Sequence, residues 1–187
     1  MKDKTMDQSL AFGAELNADT FADFVKRLHH DCVGKGVSDH CTADALFIVQ
    51  EKVIIQGIDK EYVDGWCVYH DERTWYSPVD YWKSLDKSEK ADLNKICKES
   101  WGETFLKLNS LWQWDVLSGL DEHIVSGYAE RWQYVCAHFT KDAAEAFIAR
   151  KKHDHHELRV YVESQYWAWE FNAIKNALIN GKLVFNA

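Results

Sequence analysis

WQYVCAHFTKDAAEAFIARKKHDHHELRVYVESQYWAWEFNAIKNALING, residues 132–181, carries two strand-like and two helix-like runs in alternation. Trp132 to Phe139 has the length and aromatic, β-branched character of a strand. Thr140 stands where a helix N-cap belongs, and Ala143, Ala144, Phe147 and Ile148 carry a helix to about Lys152. Leu158 to Glu163 reads as a second strand. Ser164 or Gln165 precedes a second helix with Trp167, Phe171, Ile174 and Leu178 on one stripe, ended by Asn180-Gly181. This strand–helix–strand–helix order places helices on one face of a sheet.

Upstream, Asn17 and Asp19 can cap a helix to about Asp31, with Phe21, Phe24, Val25 and Leu28 on one face. Residues 1–16 read as weakly ordered, and Val33 to Asp44 as a polar loop. Ala45–Gln50 and Val53–Ile58 read as two strands, and Asp64-Gly65 as a turn before a strand Trp66–His70. Ser77-Pro78 starts a helix, since proline loses nothing at the first position. Short helices are expected over 78–86 and 89–98. From Trp101 to Leu117 apolar residues fall on two stripes, which predicts one buried helix. The expected fold class is α+β. A single compact domain, 1–187, has a mostly antiparallel sheet with helices packed on it. Residues 17–100 supply a helix plus a β region, and 101–187 a buried helix plus the C-terminal unit.

Composition bounds the function. The 187 residues are 47% hydrophobic and 14% aromatic, enough for a core. Acidic residues outnumber basic ones 30 to 22, for a net charge of −8 without a solid acidic block. That balance disfavours direct nucleic-acid binding and does not array charge as a DNA mimic would. No apolar run is long enough to span a bilayer, and no signal segment opens the chain, so a cytoplasmic protein without a membrane role is expected. Five cysteines without paired spacing read as reduced thiols.

Nine tryptophans exceed what a small core needs. The surplus points to a surface that binds something, because Trp, Tyr and Arg dominate interface hot spots. Strand alternation directs Leu158, Val160 and Val162, with Val135, Ala137 and Phe139, toward the helices. The opposite face then carries Trp132, Tyr134, His138, Arg159, Tyr161 and Glu163. Two readings stand: another layer, such as the Trp101–Leu117 helix, covers that face, or it is a binding platform. Trp169 lies off the helical stripe and is expected at the surface or in a contact.

The histidines invite a metal reading through Cys32, His40 and Cys41, or through His153, His155 and His156. No spacing pairs C-x₂₋₄-C with H-x₃₋₅-H, so solvated or capping histidines are the expectation, with no metal and no cofactor. Cys41 beside His40 is a poor catalytic pair, since partners in nucleophilic catalysis usually come from distant segments. Phosphate-loop, dinucleotide, nucleophile-elbow and zincin motifs are all missing.

Two stretches resemble pieces of small accessory proteins encoded by phages, prophages and plasmids. One is Asp39-His40-Cys41-Thr42-Ala43-Asp44, followed by Val49-Gln50-Glu51-Lys52 and Gly57-Ile58-Asp59. The other is Phe139 to Ile148, followed by Arg159 to Ser164. The resemblance implies a mobile-element origin and carries no catalytic residue. Such proteins are often anti-defence factors, including anti-CRISPR inhibitors. The expectation is a non-enzymatic inhibitor of a bacterial immune complex, acting by steric blockade in the host cytosol. Trp132, Tyr134, Tyr161 and Trp169 would anchor it, Arg159 and Glu163 would orient it, and its acidity would steer it to a basic partner protein or ribonucleoprotein. The alternatives are a metal-assisted or thiol-dependent enzyme using the His/Cys-rich loop, and a single-stranded nucleic-acid binder using the aromatic sheet face.

Overall fold

A computed structural model describes residues 9–59, 61 and 63–186. The fold is α+β. Its elements run α1 (Ala18–Cys32), α2 (Val37–His40), β1 (Ala45–Ile58), β2 (Gly65–His70), β3 (Arg73–Trp75), α3 (Pro78–Ser84), α4 (Lys87–Trp101), α5 (Ser110–Ser118), β4 (Ile124–His138), α6 (Lys141–Lys151), β5 (Glu157–Ser164) and α7 (Trp169–Ile179). The strands form one antiparallel sheet in the order β3-β2-β4-β1-β5. Among the described residues, no helix is long and apolar enough to cross a membrane.

Contacts divide the chain into two compact units. One takes the chain up to Val53 and again from Trp132; the other is Ile54–Arg131. The long strands β1 and β4 each contribute residues to both.

In the first unit, Ala45, Phe47 and Val49 of β1 and Ala144 of α6 form the buried centre, with Leu158, Val160 and Val162 of β5 packed against them. Helix α1 starts as its sequence dictates. The Asn17 side chain accepts from the N–H groups of Asp19 and Thr20, and Thr20 Oγ1 accepts from Asn17 N at 2.8 Å. Helix α6 is capped from a distance. Thr140 makes no side-chain cap; instead buried Asp31 of α1 accepts the Lys141 N–H at 2.9 Å, while Thr140 Oγ1 accepts from Arg27 at 2.9 Å. The part of the weak-order expectation that covers residues 1–8 lies outside the described residues. Leu10–Phe12 form a 3₁₀ turn capped by Ser9.

The second unit gathers Val68, Tyr81, Leu93, Cys97, Phe105 and Leu117, with Trp114 and Val116, into one core. Ser77 caps α3 through Val79 N at 3.2 Å, with Pro78 at its first position. Gly65 is needed opposite Tyr128, because a Cβ there would lie 2.6 Å from the Tyr128 hydroxyl.

Several local expectations are corrected. The polar loop contains α2, closed by Cys41 at φ 63°. The two strands over 45–58 are one, because Glu51 and Lys52 do not break the ladder. Glu51 accepts from His155 Nδ1 at 2.9 Å and from the His156 N–H at 3.1 Å, and Lys52 pairs with Glu157 at 3.5 Å. The single helix over 101–117 is absent. Gly102, at φ 76°, ends α4, and Asn109 starts α5 by accepting the Trp112 N–H at 3.0 Å. Helix α7 begins at Trp169, so Trp167 precedes it and is 78% exposed rather than on a buried stripe. Ile174 of that stripe is exposed too, and the buried position is Lys175, ion-paired with Asp44.

Candidate functional site

The β1–β5 register sets Gln50 opposite Arg159, Ile48 opposite Tyr161 and Leu46 opposite Glu163. Phe47, Val49, Val160 and Val162 turn to the α6 side, so these partners occupy the other face. Gln50 Oε1 accepts from Arg159 Nε at 3.0 Å and Nη2 at 2.8 Å. This fork holds the guanidinium 4.0 Å from the Trp132 ring centroid and 5.6 Å from that of Tyr161. Cation–π attraction and the shared acceptor pre-organise a side chain that is otherwise rich in rotamers. Tyr134 is 61% exposed and Tyr161 47%. These two aromatics are therefore open to solvent, although Ile48 on the same face is buried. Trp114, Val116 and Leu117 of α5, the candidate covering segment, pack in the core of the second unit.

Trp132, Arg159 and Tyr161 thus come together, and Gln50, which sequence reasoning missed, locks them. Only the strand register reveals Gln50. Glu163 accepts from Gln165 Nε2 at 3.4 Å and lies farther along β5. Trp169 stands apart at the start of α7, 75% exposed, near the equally exposed Tyr166 and Trp167, whose rings meet edge-to-face at 4.9 Å. His138 does not join the open face. Its Nε2 lies 3.2 Å from Cys136 Sγ and its ring 5.7 Å from Phe147 of α6. Val135 and Cys136 both pack toward the helix side, so strict alternation fails there and carries His138 across. Ala137 and Phe139 are exposed, not core, although Phe139 stacks on Phe171 at 5.6 Å.

The His/Cys candidates do not converge. Cys32 is buried, and burial pushes its thiol up, away from reactivity. Cys41 is exposed, whereas His40 sets its ring edge-on to buried Phe47 at 5.2 Å. Both His40 ring nitrogens are shielded without a hydrogen-bond partner among the described residues. His40 borders a groove of about 520 Å³ whose walls carry both charge signs, among them Arg27, Asp31, Lys141 and Glu145. His153 pairs with Asp154 at 3.2 Å, and His155 and the His156 backbone hold Glu51. Among the described residues, no group of three His, Cys, Asp or Glu side chains could hold a metal ion.

Compared with known proteins, the chain matches no family model, no curated protein and no solved structure.

The second unit holds a cluster that sequence spacing could not announce. His70 and His123 stack at 3.9 Å, nearly parallel. His123 Nδ1 lies 2.6 Å from the Asp121 carbonyl, which can only accept, so that nitrogen carries the proton. Nε2 of the neutral ring then accepts from the buried Tyr81 hydroxyl at 2.6 Å. Burial holds the His123 imidazole below its ordinary value. Burial, followed by the carboxylates of Glu89 and Asp71, raises the Tyr81 phenol. Two small hollows of about 250 and 200 Å³ share His70, Tyr81, Leu85 and Glu89 as walls. Both groups are thereby kept neutral near pH 7, a polar lock between α3 and the turn before β4.

Proposed function

We propose that this protein is a non-enzymatic binding module that blocks a partner protein through the open face of β1, β4 and β5. The observation that carries the reading is the Arg159 guanidinium held over Trp132 by Gln50, flanked by exposed Tyr161 and Tyr134. Rigid aromatics and a pre-organised Arg lose little entropy on docking, which is why such residues anchor interfaces. The partner class follows from the sequence resemblance: a bacterial defence protein or ribonucleoprotein with a basic surface, met in the host cytosol. The net charge of −8 favours approach to such a surface.

The charges along this face favour a protein over a nucleic acid. Arg159 and Lys52 are offset by Glu157 and Glu163, so no net positive field attracts phosphates. The inward-turned His40, buried Cys32 and exposed Cys41 weigh against a metal or thiol enzyme at that loop.

The test is direct binding of the untagged protein to purified bacterial defence complexes, with Tyr134→Ala and Arg159→Ala beside wild type. Each substitution is expected to weaken binding by about 2 kcal/mol, roughly thirtyfold. Tight binding indifferent to both would remove the surface assignment, and failure to bind any such complex would remove the partner class.

A further inference from the structure

β5 is the last strand of the sheet, and its outer edge is unpaired. The Gln165 N–H donates to Asp44 O at 2.7 Å, which sets the phase of the β1–β5 ladder. Glu157, Arg159, Tyr161 and Glu163 therefore use their backbone groups on β1. Those of Leu158, Val160, Val162 and Ser164 point outward and have no partner among the described residues. The strand has no proline and an unbroken register, so the charges of Glu157, Arg159 and Glu163 are what guards this edge, and a partner must match them.

We infer that the occupant of this edge is β5 of a second copy of the chain, paired antiparallel about a two-fold axis centred on Tyr161. The strand is self-complementary in this register. With the axis normal to the sheet, Arg159 faces Glu163 of the second copy, twice over, and Tyr161 faces its own counterpart. These are non-hydrogen-bonded pairs, where side chains approach most closely. Val160 meets Val162, and Leu158 meets Ser164, as the hydrogen-bonded pairs that consume the outward backbone groups. The neighbouring registers fail. Centring on Val160 sets Glu157 against Glu163; centring on Arg159 sets that residue against itself; centring on Val162 leaves Arg159 without an opposite charge. Arg159 is also ready for the contact, since Gln50 takes Nε and Nη2 and leaves Nη1 without a partner among the described residues. The junction continues the sheet and joins two copies of the Trp132–Arg159–Tyr161 cluster into one surface. It holds whether or not the partner reading does.

Sedimentation equilibrium of the untagged full chain tests this. Wild type is expected to dimerise and to dissociate on dilution. Arg159→Glu and Glu163→Arg should each weaken the dimer by about tenfold or more, and the double variant, which swaps the charges, should recover it. Val162→Pro removes an outward N–H and should abolish dimerisation, tested independently of any charge. A monomeric wild type, a dimer indifferent to Val162→Pro, or a folded double variant that stays dissociated would overturn the inference. Tyr134→Ala lies on β4, off the junction, and is expected to leave the dimer intact while weakening partner binding, which separates the two proposals.

Discussion

The Arg159 guanidinium lies 4.0 Å from the Trp132 ring centroid, with Gln50 Oε1 fixing it from the neighbouring strand. Such a contact at a partly exposed site contributes about 0.5–1 kcal/mol. A double-mutant cycle of Arg159→Ala and Trp132→Leu in urea unfolding should return a coupling of that size. Zero coupling would mean that the two groups are neighbours without an energetic bond. The fold itself should survive both changes, which is the behaviour of a binding surface and not of a core.

Asp31 is buried and accepts the Lys141 N–H at 2.9 Å, so one helix supplies the cap of another. Asp31→Ala should cost about 1–2 kcal/mol. Thr140→Val should cost less, because Thr140 makes no cap and only its acceptance from Arg27 is lost. Equal losses in thermal unfolding would refute the division of labour.

Lys175 is 3% exposed and its charge is met by Asp44. Removing the carboxylate strands a buried cation, so Asp44→Ala is expected to destabilise by about 3–5 kcal/mol. Lys175→Met keeps the volume, removes the charge and should cost clearly less. The reverse order in chemical denaturation would sink this account.

Tyr81→Phe leaves His123 Nε2 without its donor in a partly buried site, at a cost of about 1 kcal/mol. Absorbance titration should also show one tyrosine ionising above the others, lost in this variant, because burial raises the Tyr81 phenol.

Acid should weaken the fold before carboxylates titrate. Burial holds His123 below its ordinary 6.5, and burial with nearby Arg150 does the same to His138. The unfolded chain binds protons that these folded sites refuse, so stability is full above about pH 6.5 and falls as pH drops through that value. Thermal midpoints should decline as the pH falls below about 6.5. A His123→Asn/His138→Asn double variant should flatten that slope, and an unchanged slope would assign the effect to other groups. Glu51 adds nothing in this window, since its hydrogen bond from His155 lowers an already acidic group and its contribution is lost only at lower pH.

Much of the fold was legible in local chemistry. Asn17, Ser77 and Pro78 mark helix starts, and β5 is readable from its alternation. Other boundaries depended on partners far away in the chain. Glu51 and Lys52 look like a break between two strands, yet His155, His156 and Glu157 satisfy them and the strand runs on. Lys175 looks like a solvent residue on an apolar helix, yet Asp44 draws it inside and rotates the buried face away from Ile174.

The candidate surface divides in the same way. Local periodicity sets Arg159 and Tyr161 on one side of their strand, and Trp132 with Tyr134 on one side of theirs, because side-chain direction along a strand has a period of two. The exposure of Tyr134 and Tyr161, the placing of Gln50 opposite Arg159, the departure of His138 from the face and the meeting of His70, Tyr81 and His123 all depend on the folded arrangement. Strand order, register and burial are set by contacts between segments far apart in the chain, and no local pattern encodes which distant partner satisfies a given polar group.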